Sequence, residues 1–295
     1  MRIFVAGASG VLGRRVVPSL VAAGHEVIAN VRNDAARRRA DAEGASTVTV
    51  DLFDATTTAR LGVDHDAIVN VATNIPTGVA AVRKAGWTTN DRLRTEASAN
   101  LAAAVAKSGG RYVGESITFP YVDATDDWID ERCACAYFWG NRSCVDAEAA
   151  AQSVTEAGGV GVALRFAMFY AEDSAHISAF RATARRGWFA LPGDPESYTS
   201  WVDVVDAAAA VVAALGAPTG VYNVAEPDPV QRIDHATALA RSVGRRRLRR
   251  LPNLAVKLAG PGIESLARTP RISSQSLTSA TGWRSTRRVD DAWQR

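Results

Sequence analysis

Three glycines near the start of the chain have the spacing of a turn that binds phosphate. Gly7, Gly10 and Gly13 follow the apolar run at residues 2–6 and lead into residues 11–23, where apolar side chains recur at helical spacing. In such a turn the first glycine allows the sharp bend, the second lets the backbone approach a diphosphate, and the third lets the helix pack on the sheet. The free N–H groups at the start of the helix attract anions. We predict a dinucleotide site formed by Gly7, Ser9, Gly10, Val11, Leu12 and Gly13.

The end of the second predicted strand bears on which dinucleotide binds. An acidic residue there would accept hydrogen bonds from the two ribose hydroxyls of NAD, but the chain has Val31, Arg32 and Asn33. A guanidinium can pair with the 2′-phosphate of NADP and stack on adenine. Arg14 and Arg37 add positive charge nearby. The sequence therefore favours NADP over NAD, with Arg32 as the selecting residue.

The residues that follow the third predicted strand offer contacts for the adenine. Asp51 and Leu52 come directly after residues 47–50, at the carboxyl edge where ligands of open α/β sheets bind. The alternative is that Asp51 caps the short helix that follows it.

Strands and helices alternate through the first half of the chain. Amphipathic helices between apolar strands imply right-handed crossovers and a parallel sheet. We predict strands at residues 2–6, 26–31, 47–50, 67–71, 111–116 and 160–166, and helices at residues 11–23, 90–106 and 145–157.

The second half is less regular. Helices are predicted at residues 202–215 and 233–243, and residues 221–224 form a late strand that returns to the sheet, whereas residues 167–200 show no steady periodicity. The predicted fold is α/β, a doubly wound parallel sheet (Rossmann) with a smaller, interleaved C-terminal substrate lobe. Residues 1–166, joined by 202–225, form the dinucleotide-binding domain, and residues 167–201 and 226–295 form the lobe.

Composition narrows the class of protein. The 295 residues carry a net charge of +3, and no aromatic residues interleave the arginine runs, so we expect no nucleic-acid partner. The longest apolar stretch is too short to span a bilayer, so we expect no membrane partner. Three cysteines without a zinc-knuckle spacing predict reduced thiols in the cytoplasm and no metal site. The expected partner is a small-molecule substrate, and a homodimer stays open.

Several motifs along nearly the whole chain resemble one superfamily. They are the turn at residues 7–13, Asp51-Leu52, Val69-Asn70-Val71-Ala72, Asn100-Leu101, residues 111–116, Leu164-Arg165 and residues 221–224. In this order they are similar to the extended and atypical short-chain dehydrogenase/reductases, in particular the NAD-dependent epimerase/dehydratase family. The resemblance implies that Val71, Ala72 and Thr73 line the cofactor and that Ser116 is the active-site serine.

The catalytic motif of that family does not match. The family uses Tyr-x-x-x-Lys, in which the lysine lowers the pKa of the tyrosine so that the phenol can exchange a proton. Aligned on Ser143 and Glu148, the tyrosine falls on Gly140 and the lysine on Cys144. We therefore expect the standard acid–base dyad to be absent.

Other residues near this motif could take part in catalysis. Another register pairs Tyr137 with Asn141, but an amide carries no charge that would lower the pKa of a phenol. Ser116, at the end of the fifth strand, is placed to bond a substrate carbonyl, and Tyr121 follows in the same loop. The catalytic candidates are Ser116, Tyr121 and Tyr137.

Three functions are compatible with these features. The favoured one is an NADP-dependent oxidoreductase acting on a small organic carbonyl or hydroxyl compound, in which the cofactor carries the hydride. Loss of the dyad also allows a non-redox isomerase, dehydratase or cyclase, or a regulatory protein that senses the dinucleotide.

Overall fold

A computed structural model describes residues 1–252, 256, 258, 260–289 and 293. Seven parallel strands form one sheet in the order β10-β6-β5-β4-β1-β2-β3. The strands are β1 (Arg2–Ala6), β2 (Glu26–Asn30), β3 (Ser46–Val48), β4 (Ala67–Asn70), β5 (Arg111–Ile117), β6 (Val160–Phe166), β7 (Met168–Tyr170), β8 (Tyr198–Thr199), β9 (Trp201–Asp203), β10 (Gly220–Val224) and β11 (Val230–Gln231). The predicted doubly wound α/β fold is confirmed.

Helices cover both faces of this sheet. They are α1 (Gly13–Ala22), α2 (Asp34–Ala42), α3 (Ala55–Ala59), α4 (Leu61–Asp64), α5 (Thr88–Arg92), α6 (Ser98–Ala106), α7 (Cys144–Glu156), α8 (Ala175–Arg185), α9 (Val204–Ala214), α10 (Arg232–Ser242), α11 (Pro261–Ala267) and α12 (Gln275–Thr281). A π turn (Leu93–Ala97) joins α5 to α6, and two 3₁₀ turns (Gly78–Val82 and Lys84–Trp87) precede α5. None of the helices described is long and apolar enough to cross a membrane.

Strand β1 shows why the sheet is covered on both sides. Ile3 and Val5 pack into a core cluster that includes residues of α1 and α9, whereas Phe4 and Ala6 pack into a second cluster with residues of α6 and α7. Successive side chains of a strand point to opposite faces, so a strand with two apolar faces needs helices on both.

A third apolar cluster lies in the C-terminal half. Trp201, Trp293 and Phe189 surround His235, which is fully buried. Burial of this imidazole lowers its pKa from 6.5 to about 3, so His235 is neutral in the folded protein.

The structure corrects two details of the second half. Trp201–Asp203 forms strand β9, paired with β7, and α9 begins at Val204 because the Asp203 carboxylate accepts from the Val205 N–H at 2.7 Å. Helix α8 was not predicted, because only Ile177 and Ala184 of its residues are buried and no apolar stripe marks it. The late strand is confirmed, since β10 pairs in parallel with β6.

Candidate functional site

The carboxyl ends of β1, β4 and β5 meet where the order of the strands reverses. From β1 the chain builds β2 and β3 on one side and β4, β5 and β6 on the other. Connections that leave neighbouring strands in opposite directions open a crevice at this edge, and ligands of open α/β sheets bind there.

The glycine turn lies at this crevice and is closely packed on one side only. Gly7 has a φ of +81°, and an added Cβ would lie 2.6 Å from backbone atoms of Val71 and Ala72. At Gly13 an added Cβ would lie 2.1 Å from the Gly7 carbonyl oxygen. Gly10 is exposed, its N–H donates to Gly7 at 2.9 Å, and an added Cβ would approach nothing nearer than 3.3 Å. The exposed side of Gly10 is therefore the open side of the turn, as a diphosphate requires.

Two arginines that follow β2 differ in their surroundings. Arg32 is exposed directly after β2, beyond buried Val31. Arg37, in contrast, donates to the Thr47 hydroxyl at 2.8 Å and reaches the Thr49 hydroxyl at 3.5 Å. Arg32 is thus open to solvent, whereas Arg37 braces α2 against β3.

Arg14 and Arg15 bind the loop that follows β7 rather than the adenosine end. The Arg14 guanidinium lies 2.9 Å from the Asp173 carboxylate, and Arg15 donates to both of its oxygens at 2.8 Å. Asp173 therefore pairs with both guanidinium groups, and one net positive charge remains on the three side chains.

The exits of β3 and β4 supply the walls of the crevice. Exposed Asp51 accepts from the Phe53 N–H at 3.0 Å, and the carbonyl of buried Leu52 accepts from Asn100 at 3.1 Å. Asp54, not Asp51, caps α3, because its carboxylate accepts from two N–H groups of that helix. The alternative role of Asp51 as the cap of this helix is therefore wrong.

A buried amide shapes the β4 exit. Asn70 donates to the hydroxyls of Ser98 and Tyr112, both at 3.0 Å, and accepts from the Ala72 N–H at 3.2 Å. Among the residues predicted to line the cofactor, Val71 is buried, Ala72 is half-buried and Thr73 is exposed. Exposure to solvent therefore increases along this segment.

The β5 exit carries a chain of hydrogen bonds that starts at Ser116. Its hydroxyl donates to Glu148 of α7 at 2.6 Å, and Glu148 forms a two-pronged ion pair with Arg165 of β6 at 2.7 Å. Arg165 also donates to the Tyr121 hydroxyl at 2.7 Å, which donates to Asn223 at 2.8 Å. Burial raises the pKa of Tyr121 to about 12, although the nearby guanidinium acts in the opposite direction. Ser116 and Tyr121 are thus joined in one network, while both are buried.

The third catalytic candidate is not a member of this chain of hydrogen bonds, although the charge of Glu148 also acts on its phenol. The Tyr137 side chain is 39% exposed, and partial burial and the Cys135 thiol raise the pKa of its phenol. The amide oxygen of Asn141 accepts from the Phe138 N–H at 2.9 Å, so it stabilises a local turn. Neither phenol therefore has the lowered pKa of a tyrosine assisted by lysine.

The two aligned positions of the family motif hold no titrating pair. An added Cβ at Gly140 would lie 2.6 Å from the Phe138 ring, which fills that space. Cys144 is buried at the start of α7, and burial raises the pKa of its thiol to about 12. Helix α7 contains no lysine, and the lysines of the chain are Lys84, Lys107 and Lys257.

A buried ion pair near Cys144 was missed from the sequence. Arg94 of the π turn donates to Glu115 of β5 at 2.8 Å, and the two side chains are only 2% and 8% exposed. The signal was present, because Asn90, Arg94 and Ser98 recur every four residues and form a polar stripe along an otherwise apolar helix face.

A small cavity of about 30 Å³ lies beside Tyr121, where the β5 exit meets the C-terminal half. Its lining includes Thr118, Met168, Arg232 and Arg268. Within the described residues, no group of His, Cys, Asp and Glu side chains could hold a metal ion.

Comparisons with known proteins agree with this architecture. The family model of the NAD dependent epimerase/dehydratase family matches residues 3–225. The chain is 30% identical over 301 aligned positions to a 3-diazoavenalumate denitrifying reductase of Streptomyces, covering 97% of this chain and 96% of that protein. It is 27% identical over 264 positions to an epimerase family protein of Mycobacterium tuberculosis, covering 87% and 84% of the two chains.

Solved structures share the fold at lower identity. The human epimerase family protein, solved with NADPH, superposes with a TM-score of 0.78 at 20% identity over 100% of this chain and 98% of that one. The UDP-N-acetylglucosamine 4-epimerase of Bacillus cereus superposes with a TM-score of 0.72 at 17% identity over 100% and 97%. The predicted resemblance is confirmed, and family membership supports a nicotinamide dinucleotide as the cofactor. The chain belongs to the NAD-dependent epimerase/dehydratase family of extended short-chain dehydrogenase/reductases, and it is an enzyme.

Proposed function

We propose that this enzyme is an NADP-dependent reductase of a small organic substrate. The observation that carries the proposal is the asymmetry of the glycine turn. Gly7 and Gly13 have no room for a Cβ, whereas Gly10 is open toward the crevice. Backbone N–H groups at the start of α1 can therefore reach a diphosphate.

The remaining cofactor contacts follow the length of the crevice. We assign Arg32 to the 2′-phosphate, Asp51 and Leu52 to the adenine, and residues 71–73 to the wall beside the nicotinamide. A bound nicotinamide would supply the hydride. The three free cysteines support a reducing, cytoplasmic setting.

The tyrosines near the β5 exit favour a reaction in which no tyrosine has to transfer a proton. Tyr121 is neutral and held between Arg165 and Asn223, and the pKa of Tyr137 is raised. We assign Ser116 and Tyr121 to positioning, through the network around Glu148, and the half-exposed Tyr137 hydroxyl to hydrogen bonding with the substrate. Residues 167–201 and 226–295 would close over the substrate as its lobe.

This chemistry limits the class of substrate. Reduction of a carbonyl leaves an alkoxide that must be protonated, and general acids accelerate that step. Reduction of an aryl diazonium forms a C–H bond while the C–N bond breaks and N₂ leaves, so no oxygen needs a proton. The relative named as a diazo denitrifying reductase supports the second class. We therefore place electron-poor diazo compounds ahead of carbonyls.

The test is consumption of the reduced cofactor by the purified protein. NADPH and NADH are each offered with a panel of carbonyl compounds and a panel of arenediazonium acids, and absorbance of the reduced nicotinamide is followed. We expect faster oxidation of NADPH than of NADH, with a diazonium substrate and release of N₂. Tight binding of NADPH without oxidation by any member would refute a reductase, and product formed without net oxidation would identify an isomerase or dehydratase.

A further inference from the structure

Arg232, at the start of α10, is a buried cation whose hydrogen bonds all go to neutral groups. The other two buried arginines among the described residues, Arg94 and Arg165, each form an ion pair with a glutamate. Arg232 instead donates to the Ser197 hydroxyl and to three backbone carbonyls. These bonds satisfy most of its donors but leave its charge in place. Buried charges in proteins are normally paired, so an anion is missing from the surroundings of Arg232.

The charged groups around Arg232 do not supply that anion. Burial and the charge of Arg250 lower the pKa of Arg232 to about 10, so its guanidinium is still protonated at neutral pH. Asp123 and Asp194 act on it in the opposite direction. Each of these carboxylates accepts from a backbone N–H two residues further along the chain, and neither forms a hydrogen bond with Arg232.

The cavity of about 30 Å³ beside Tyr121 borders this cation, because Arg232 and Arg268 both belong to its lining. Arg268 is half-buried, and its Nη1 donates to the backbone carbonyls of Pro120 and Tyr121 at 3.2 and 2.9 Å. No described residue accepts from its Nε or Nη2. These two nitrogens form the side of a guanidinium that binds a carboxylate through two parallel hydrogen bonds.

The size and position of the cavity limit which anion can bind there. A cavity needs about 10–15 Å³ to hold one water molecule, so this one has room for about two, or for the two oxygens of a carboxylate. A nucleoside diphosphate is far larger. Thr118, in the lining, lies two residues beyond Ser116, so the cavity adjoins the β5 exit to which we assign the substrate.

We propose that this cavity binds the carboxylate of an organic acid substrate, with Nε and Nη2 of Arg268 as donors and the buried charge of Arg232 behind them. Hydrogen bonds between a guanidinium and a carboxylate are strong, and the attraction of Arg232 for an anion increases where water is excluded. The rest of the substrate would extend from the cavity toward Ser116. The inference rests on the proposed function, because it names the class of compound that the reductase takes.

The test compares an acid with its uncharged amide. The para-carboxybenzenediazonium and para-carbamoylbenzenediazonium ions have nearly the same shape, and oxidation of NADPH gives kcat and KM for each. Calorimetry with benzoate and benzamide tests the cavity without turnover. Arg268→Gln removes the charge but keeps an amide that can bond to the nearby carbonyls. Arg246→Gln, at an exposed position, is the control for net charge, and thermal unfolding shows whether each variant folds.

In the unmodified protein we expect the KM of the acid to be at least about 10-fold below that of the amide, since hydrogen bonds to charged groups are worth this much. Arg268→Gln should raise the KM of the acid by about the same factor and leave kcat and the KM of the amide unchanged. Benzoate should bind more tightly than benzamide, and this preference should disappear in Arg268→Gln but not in Arg246→Gln.

Equal KM values for the acid and the amide would overturn the site. So would an equal rise of both KM values in Arg268→Gln, which would show a merely structural arginine. Inorganic phosphate that competes with benzoate as strongly as acetate does would show a site for any small anion and overturn the carboxylate. If neither diazonium ion oxidises NADPH while benzoate still binds through Arg268, the proposed function fails and the carboxylate site is supported.

Discussion

The two ends of the proposed cofactor crevice are built from different atoms. At the glycine turn the close contacts are made by main chain, where Gly7 meets the backbone of Val71 and Ala72. At the β5 exit they are made by side chains, where Ser116, Glu148 and Arg165 form one hydrogen-bonded chain.

This difference decides how many residue types each end of the crevice can accept. A backbone contact that excludes Cβ can be satisfied only by glycine at that position. A side-chain contact can be supplied from another element, as Glu148 of α7 does for Ser116 and Arg165 of β6 does for Tyr121. The diphosphate end should therefore keep its residues, whereas the reaction end can change its chemistry on the same fold.

The largest effect should come from removing a carboxylate from the side-chain network at the β5 exit. Glu148→Ala leaves the Arg165 guanidinium largely buried without its carboxylate, and we expect a loss of about 3 kcal/mol in the free energy of unfolding. Urea unfolding measures this change. Glu156→Ala, at the exposed end of the same helix, is the control and should stay within about 0.5 kcal/mol. Similar stability of the two variants would show that the network does not hold this end together.

Breaking the main-chain end should remove binding and leave the fold intact. Gly10→Val places a branched side chain on the open side of the turn, where the diphosphate would lie, so NADPH affinity should fall at least about 100-fold. The new Cβ would lie 3.3 Å from the Gly7 carbonyl oxygen, a tight contact, so we expect a modest fall in the temperature of thermal unfolding and a protein that still folds. Gly216→Val, an exposed glycine after α9, is the matched control. A folded Gly10→Val protein that binds NADPH normally would contradict the diphosphate site.

The same contrast explains what could be predicted from the sequence. The strand–glycine turn–helix pattern predicted β1, α1 and the turn, because backbone geometry restricts the residue type at Gly7 and Gly13. The network from Ser116 to Tyr121 was not foreseen, because Glu148 and Arg165 reach it from separate elements and their spacing in the chain has no period. Helix α8 was missed because it has few buried residues, and Trp201–Asp203 because a short strand leads directly into α9.

A smaller effect should separate the two dinucleotides at the adenosine end. Arg32→Ala removes an exposed cation from the end of β2, and we expect NADP(H) affinity to fall about 10-fold while NAD(H) affinity is unchanged. Competition binding with both cofactors measures the ratio. Arg186→Ala, an exposed arginine after α8, controls for net charge. An equal change for both dinucleotides would mean that Arg32 does not contact the 2′-phosphate.

The smallest effect should appear in the pH dependence at the reaction end. The pKa of Tyr121 is raised to about 12, so its phenol keeps its proton below the ordinary value of 10 and loses it only as the pH rises toward 12. A lysine-assisted tyrosine would instead titrate near neutral pH and give kcat/KM an inflection between about pH 6 and 9. We expect no such inflection in the unmodified enzyme, and the same profile shape in Tyr121→Phe even if its absolute rate falls. An inflection that disappears in Tyr121→Phe would show that this tyrosine exchanges a proton with the substrate. The reaction end would then have kept the proton-transfer chemistry of the family, just as the diphosphate end keeps its glycines.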